Sequence, residues 1–536
     1  MSWKKVFSLV LVVAMTGAII AGCANSKTTR PDAHKPIRYA LESEPETLDP
    51  RKMTGSPEMH VVVQIFEGLT TLDANSTPLP AAAERWDVSS DGLTYKFYIR
   101  ANAKWSNGDP VTAHDFEYAW KTALSPELGS KYADQLYYLK NGEEYNTRKT
   151  AADQVGVKAL DDKTLEVTLK EPCAYFPSLT AFYTYFPVHK KTVEANPAWA
   201  SDGKSIIGNG PFKITDWVHN GNMNFVKNEY YWDSAKVKTT ALELPIADSN
   251  TTRLAMFENN QVDIAMDPPN AELERLKKEN KVTIFPLLAT YFYNFNVTKA
   301  PFDNVKVRKA FALAIDREAI VQTVTRGGQV PALAWVPPGV PDAKAGDDFR
   351  KAGSDFYRNN DIETAKKLLA EAGYPDGKGF PVITITYNTL ENHKAIAEAL
   401  QEMWKKNLGV EVKITNQEWK VFLNTRRQLD FQISRDGWVG DYPDALTFIG
   451  LFTSYSGNNS TGWKNSRYDA LVAQAKGSLD PAVRMKAMHE AEKILMEDMP
   501  IVPIYYYTQP WCIKPNLKGY VRTITDVIYF KEAYVE

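Results

Sequence analysis

Residues 379–414 restrict the fold of this 536-residue chain more than any other stretch. Residues 382–387 (VITITY) alternate apolar and polar side chains directly after Gly379 and Pro381, the mark of a strand. A helix is predicted from about Asn392, because Ile396, Leu400, Met403 and Trp404 share one face at three- and four-residue spacing. Leu408-Gly409 ends it, and residues 410–414 (VEVKI) alternate again. Strand, helix and strand joined this tightly make a βαβ unit, with parallel strands and a right-handed crossover. The fold class is therefore α/β. The length requires more than one core, since chains beyond about 250–300 residues split into domains, so two or three lobes are expected.

The flanking sequence continues the pattern. Asp303 can cap a helix carrying Val307, Phe311, Ala314, Ile315 and Val321, stopped at Gly327-Gly328. Asp361 can cap another with Ile362, Ala365, Leu368 and Leu369, stopped at Gly373. After Trp419 a third helix reaches about Arg427. Residues 431–434 read as a short strand, and 435–444 as the loop at its carboxyl end. In the first half, residues 93–100 and 163–170 alternate as strands, 105–110 make a turn, and 112–115 open a helix containing Phe116, Ala119 and Trp120. Residues 67–191 read as a lobe of their own.

The N-terminus bears on the compartment. Lys4 and Lys5 precede a mostly apolar run over residues 6–20, short of the roughly 20 residues a bilayer span needs and suited to a secretion signal. It ends in Ile20-Ala21-Gly22-Cys23, which resembles a bacterial lipobox. That resemblance implies a diacylglycerol on the Cys23 sulfur and cleavage before it; an ordinary signal peptide with an accidental cysteine is the alternative. Residues 24–36, polar with two prolines, read as a tether. The expected protein is a lipid-anchored body outside the membrane.

Composition removes several function classes. With 63 Lys+Arg against 65 Asp+Glu, the chain shows no electrostatic footprint for nucleic acid. Three cysteines, at 23, 173 and 512, exclude a disulfide-dense scaffold and a Cys₄ or Cys₂His₂ zinc site; Cys173 and Cys512 are expected as buried thiols, with a disulfide between them as the alternative. The seven histidines are scattered, and no cofactor is expected. Neither a G-x-S-x-G elbow, an H-E-x-x-H helix, a P-loop nor a G-x-G-x-x-G turn occurs. Catalysis has no positive signal.

Residues 103–116 (AKWSNGDPVTAHDF) resemble the signature stretch of extracytoplasmic solute-binding proteins of the peptide and nickel class. Residues 416–423 (NQEWKVFL) and 435–442 (RDGWVGDY) resemble its oligopeptide-binding branch. The resemblance runs from about residue 37 to the C-terminus. It implies a periplasmic-binding-protein-like fold of two hinged α/β lobes plus an additional lobe, enclosing a peptide for an ABC import permease. The expected division is a signal peptide over 1–22, a tether over 23–36, lobe I from 37–66, 192–288 and 509–536, lobe II from 67–191, and lobe III from 289–508, in a monomer.

Peptide chemistry asks for an anion for the ammonium, cations for the carboxylate, and backbone pairing between. The resemblance makes Asp441 the ammonium partner; a turn-forming role beside Gly440 is the alternative. Arg435, Arg426 and His393 are the candidate carboxylate partners, against surface charges for the arginines and a helix cap for the histidine. Trp419, Trp438 and Tyr132 match aromatic positions beside the ligand, against plain core packing. Tyr505, Tyr506 and Tyr507 read as core or hinge. The sequence also departs from the family. A cross-cleft cysteine pair is replaced by Ala289 and Val439, a ligand-facing acid by Asn294, a basic residue by Thr325 (Arg326 is next to it), an arginine by Val63 and a tyrosine by Met266. These departures leave open a dipeptide, a murein tripeptide or a nickel chelate as cargo, with a secreted hydrolase as the remote rival.

Overall fold

The computed structural model describes residues 35–536 apart from 75, 174, 345 and 479. The signal peptide, Cys23 and nearly all of the tether lie outside the described residues.

The βαβ unit forms as its pattern requires. Ile383–Asn388 pairs in parallel with Val412–Gln417 on one side and with Ile433–Val439 on the other. The crossover helix Glu391–Leu408 buries Ile396, Leu400 and Trp404, each contributing about 1.5–3 kcal/mol of burial. Gly409 ends it at φ 69°, a left-handed conformation that costs a β-carbon but not glycine.

This unit is one end of a sheet that runs through the molecule. From it the order continues through Thr283–Phe295, Ile501–Ile513, Ile264–Met266, Ile37–Ala40, Ala241–Pro245, Asn222–Lys227 and Phe212–Val218. Thr283–Phe295 and Ile501–Ile513, 13 residues each, are antiparallel partners with register shifts between Pro286 and Thr290 and between Tyr291 and Phe292. A separate four-stranded sheet in the first half joins Ala83–Val88, Thr94–Ile99, Thr164–Thr168 and Val157–Ala159. The helix Ala113–Leu124 packs on it, opened by a reciprocal capping box between Thr112 and Asp115. This α/β architecture agrees with the sequence reading, and Cys173 and Cys512 are buried free thiols as expected.

Two local expectations are corrected. The helix after Asp303 is capped by Asn304, whose side chain accepts from the Lys306 N–H, and Val305–Leu313 ends well before Val321. Asp316 caps a new turn, and a π-helical stretch Ile320–Thr325 closes at Arg326 rather than at the glycine pair. Buried Arg317 donates from Nε to the Pro503 carbonyl and from Nη1 to the Ala312 carbonyl, so this break gives a buried guanidinium backbone acceptors. The second correction is the strand read at 431–434. It runs over Ile433–Val439, because Thr283–Phe295 pairs with it from Phe295↔Ile433 to Ala289↔Val439 and meets its backbone groups throughout. Arg435 is therefore a mid-strand residue and not part of the loop holding Asp441.

Among the described residues, no helix is long and apolar enough to cross a membrane. None of their His, Cys, Asp and Glu side chains group in threes to hold a metal ion.

Candidate functional site

Strand ends of the central sheet open onto a cavity of about 200 Å³, closed on its far side by residues of the first-half lobe. Carboxyl ends of strands are where open α/β sheets hold ligands. All seven residues singled out from the sequence for the peptide line it: Tyr132, His393, Trp419, Arg426, Arg435, Trp438 and Asp441. The cross-cleft pair of the resemblance also falls in register, since Ala289 stands opposite Val439.

Asp441 lies just beyond the Ile433–Val439 strand. Its Oδ1 accepts from the Tyr132 hydroxyl at 3.2 Å and its Oδ2 from the Thr447 hydroxyl at 3.1 Å. Its N–H donates to the same Thr447 oxygen at 2.9 Å. Among the described residues no cation touches the carboxyl, and burial pushes its pKa up to about 8. Tyr132 comes from the inserted lobe, so one hydrogen bond already joins two lobes at this carboxyl. Trp438 shields it, its indole N–H anchored on the Thr447 carbonyl at 2.9 Å and its ring 6.1 Å from that of Tyr132.

The three carboxylate candidates differ from one another. Among the described residues Arg435 has no acidic partner in contact. It donates to the Tyr507 hydroxyl at 2.6 Å and to Asn388 at 3.3 Å, and lies over the Tyr291 ring at 4.7 Å. Arg426 is already paired: its Nη2 is 2.6 Å from Asp436 Oδ2, which also accepts from Asn294 at 2.9 Å. Where the resemblance has an acid at 294, this chain has an amide that donates to the carboxylate of Asp436. His393 is buried with its Nδ1 3.4 Å from the Tyr291 hydroxyl. Burial, then the charge of Arg435, hold its pKa well below the usual value, so it offers a neutral ring and not a cation. Trp419 reaches across the cleft and donates to Glu58 Oε1 at 3.3 Å. Burial raises Glu58 to about 7.

Sequence reasoning missed Asp436, Glu58, Glu42 and Asp267, and read Tyr507 as core or hinge. Asp436 was within reach, because extending the 431–434 strand by its antiparallel partner places 435 and 436 beside the cleft. Nothing local marks the other three.

The chain belongs to the bacterial extracellular solute-binding proteins of family 5: the pattern described as "Bacterial extracellular solute-binding proteins, family 5 Middle" matches residues 77–460. It is 41% identical over 548 residues to the oligopeptide-binding protein OppA of Bacillus subtilis (strain 168), covering 99% of each chain. Its structure is similar to that of Haemophilus influenzae OppA in complex with RPPGFSPFR, with a TM-score of 0.89 at 35% identity over 94% of this chain and 99% of that one. The Escherichia coli murein tripeptide binding protein MppA gives 0.88 at 36% identity, with 94% and 99% covered. An unliganded open form of MppA gives only 0.62 at 35% identity, with 94% and 97% covered. Between those two the sequence hardly changes, so the lobe arrangement does, and the lobes of this chain are not set as in the open form.

Proposed function

We propose that this protein captures a short peptide in the cavity and delivers it to the permease subunits of an ABC importer, without chemical change. One observation carries the reading. A single cavity presents a half-buried carboxyl, Asp441, that meets no cation among the described residues, and a buried guanidinium, Arg435, that meets no acid among them. An ammonium and a carboxylate joined by extended backbone would satisfy both, and every unmodified peptide carries these groups whatever its sequence. The names of relatives support this, among them the Bacillus subtilis oligopeptide-binding protein OppA and an oligopeptide ABC transporter substrate-binding domain from Bacillus anthracis. Trp438, Trp419 and Tyr132 wall the peptide, and Arg426 and His393 supply polar contacts near its carboxylate end. Lobes I, II and III take the boundaries expected above, with the hinge in the two 13-residue strands where their register shifts. The mature protein is a monomer held at the outer face of the cell membrane by a lipid on Cys23.

Mass spectrometry of ligand released from freshly purified protein, with titration of that ligand back into stripped protein, tests the reading. A peptide binding one-to-one and recovered intact is expected. Fragments accumulating with time, or a ligand without a free amine, would overturn it. Cys23→Ala should move the protein to the soluble fraction; retention on membranes would refute the anchor.

A further inference from the structure

We propose that Glu391 and Asn250 form a latch across the cleft, each capping the helix that carries the other, and that this latch strengthens closure by one factor for every peptide. The inference rests on the peptide-receptor reading and adds to it a pair of positioning residues that touch no ligand. Asn250–Glu258 is a helix packed beside the strand Ile264–Met266, and Glu391–Leu408 is the crossover helix that follows Ile383–Asn388. Between those two strands the sheet order places Ile433–Val439 and the two 13-residue strands. The two helices therefore stand on opposite sides of the cleft, and contacts between their amino ends span it.

Neither helix completes its own amino end. A helix leaves its first four N–H groups without intrahelical partners. The cap position of Glu391–Leu408 is Leu390, whose side chain cannot accept a hydrogen bond; it lines the cavity instead. The Glu391 N–H donates to Asn250 Oδ1 at 3.1 Å, and Asn250 is buried at 1% exposure. The helix Asn250–Glu258 is capped by Ser249, but its first turn has no acid to meet the helix dipole. Glu391 supplies that acid. Its Oε1 accepts from the Ser249 hydroxyl at 2.6 Å, and its Oε2 from the Thr251 hydroxyl at 2.6 Å and the Thr251 N–H at 3.2 Å. The reciprocal logic is that of a capping box, divided here between two helices on facing sides of the cleft.

The latch borders the cavity wall without belonging to it. Leu390 and His393 line the cavity from one side, and Met266 and Asp267 from the other. Just outside them the Asn270 N–H donates to Asn392 Oδ1 at 3.3 Å, and Asn392 Nδ2 to the Pro268 carbonyl at 3.4 Å. Asn250 Nδ2 donates to the Asp267 carbonyl at 2.5 Å, which ties the latch to the wall. Glu391, Asn250, Ser249 and Thr251 are not among the lining residues. Opening the cleft parts these pairs and returns both amino ends to water; closing restores them whatever the cavity holds. The Tyr132 hydrogen bond to Asp441 differs, because it shares the carboxyl that meets the peptide ammonium. A contact made only in the closed form, and never with the ligand, changes the closed population by the same factor for all ligands.

Trp419 and Trp438 line the cavity, so tryptophan fluorescence in stopped flow can follow peptide binding and release by the full-length receptor. Tri-, tetra- and penta-alanine are the probes. Glu391→Ala should release every length that binds about tenfold faster, by one common factor, with association within about twofold of wild type. Glu391→Gln keeps one acceptor oxygen and should fall between the two. Thr251→Val should also speed release, and should add less in the Glu391→Ala background than in wild type, because the two changes remove a shared bond. Stripped Glu391→Ala protein should melt where stripped wild type melts, which a merely structural role for Glu391 would not allow; if it melts early, Thr251→Val carries the release test. Release within about twofold of wild type in both variants would overturn the latch, as would a factor that differs more than about threefold between lengths. Failure of all three peptides to bind wild type would instead overturn the peptide-receptor reading, and the latch with it.

Discussion

Replacing Asp441 by asparagine keeps the shape beside Tyr132 and Thr447 but removes the charge proposed to meet the peptide ammonium. In the empty cavity that charge is unwelcome, and burial raises the carboxyl to about 8. A bound ammonium restores the ionised form, in surroundings where a charge pair is weakly screened. Losing one partner of such a pair costs about 2–5 kcal/mol. At about 1.4 kcal/mol per tenfold, this is about 30-fold to a few thousandfold in affinity. Acetylating the peptide removes the other partner. Wild type should therefore prefer the free amine by that factor, and Asp441→Asn should lose most of the preference. Calorimetric titration of both peptides into both proteins gives four affinities, and their double difference isolates the coupling. If the variant kept the wild-type ratio of free to acetylated binding, Asp441 would not be the amine site and the orientation of the ligand would be wrong.

Two further outcomes follow from the same cavity. Asp436→Asn releases Arg426 from its 2.6 Å ion pair, so in a tri- to hexa-alanine series the length whose carboxylate reaches Arg426 should gain about tenfold, and its amidated form should not. An unchanged order of lengths would refute the view that Asp436 occupies Arg426. The empty protein should also close more readily as pH falls. Asp441 is raised to about 8 in the closed cleft, and burial raises Glu58 and Asp267 to about 7. Each penalises closure above its ordinary carboxyl pKa, and the penalty fades between about pH 8 and pH 4. Small-angle scattering of stripped protein should show a smaller radius at pH 5 than at pH 8, and Asp441→Asn should narrow the gap. Equal radii at both values would refute it.

How far the sequence can be read here depends on the range of the interactions. The βαβ unit is legible because alternation, helix periodicity and a glycine stop act within a few residues, and Gly409 ends its helix where predicted. The strand at 431–434 was cut short because its extension depends on Thr283–Phe295, about 140 residues away, and no local signal reports that pairing. The cap at 303 went to its neighbour because Asp and Asn are near-equal caps, and the choice was made by tertiary packing around Arg308, which donates to the carbonyls of Phe302 and Asp303. Asp441, Arg435 and the aromatic residues could be named only through the resemblance, since each alone reads as a turn, a surface charge or core. Glu42 and Asp267 lie far apart in sequence and reach one cavity only because the strands before them are neighbours in the sheet. Arg426, a candidate carboxylate partner from the sequence, lines the cavity, but its pairing with Asp436 required the structure.

Charge also explains why the closed cleft should belong to the loaded state. Closing over nothing buries Asp441 without a cation. Taking its carboxyl from the ordinary range to about 8 costs on the order of 4 kcal/mol at pH 7. Contacts across the cleft work against this, among them a bidentate pair of Arg427 with Glu46, the Tyr132 hydrogen bond to Asp441, the Trp419 hydrogen bond to Glu58 and the hydrogen bonds of Ser249 and Thr251 to Glu391. Such contacts are partly exposed or single hydrogen bonds, each worth about 0.5–1.5 kcal/mol net. They oppose the penalty without removing it. An ammonium at Asp441 abolishes the penalty and adds the pair energy, so the same carboxyl that selects the ligand also tips the hinge. A ligand without a free amine leaves the penalty in place, and it would be discriminated against twice, once in contact energy and once in closure.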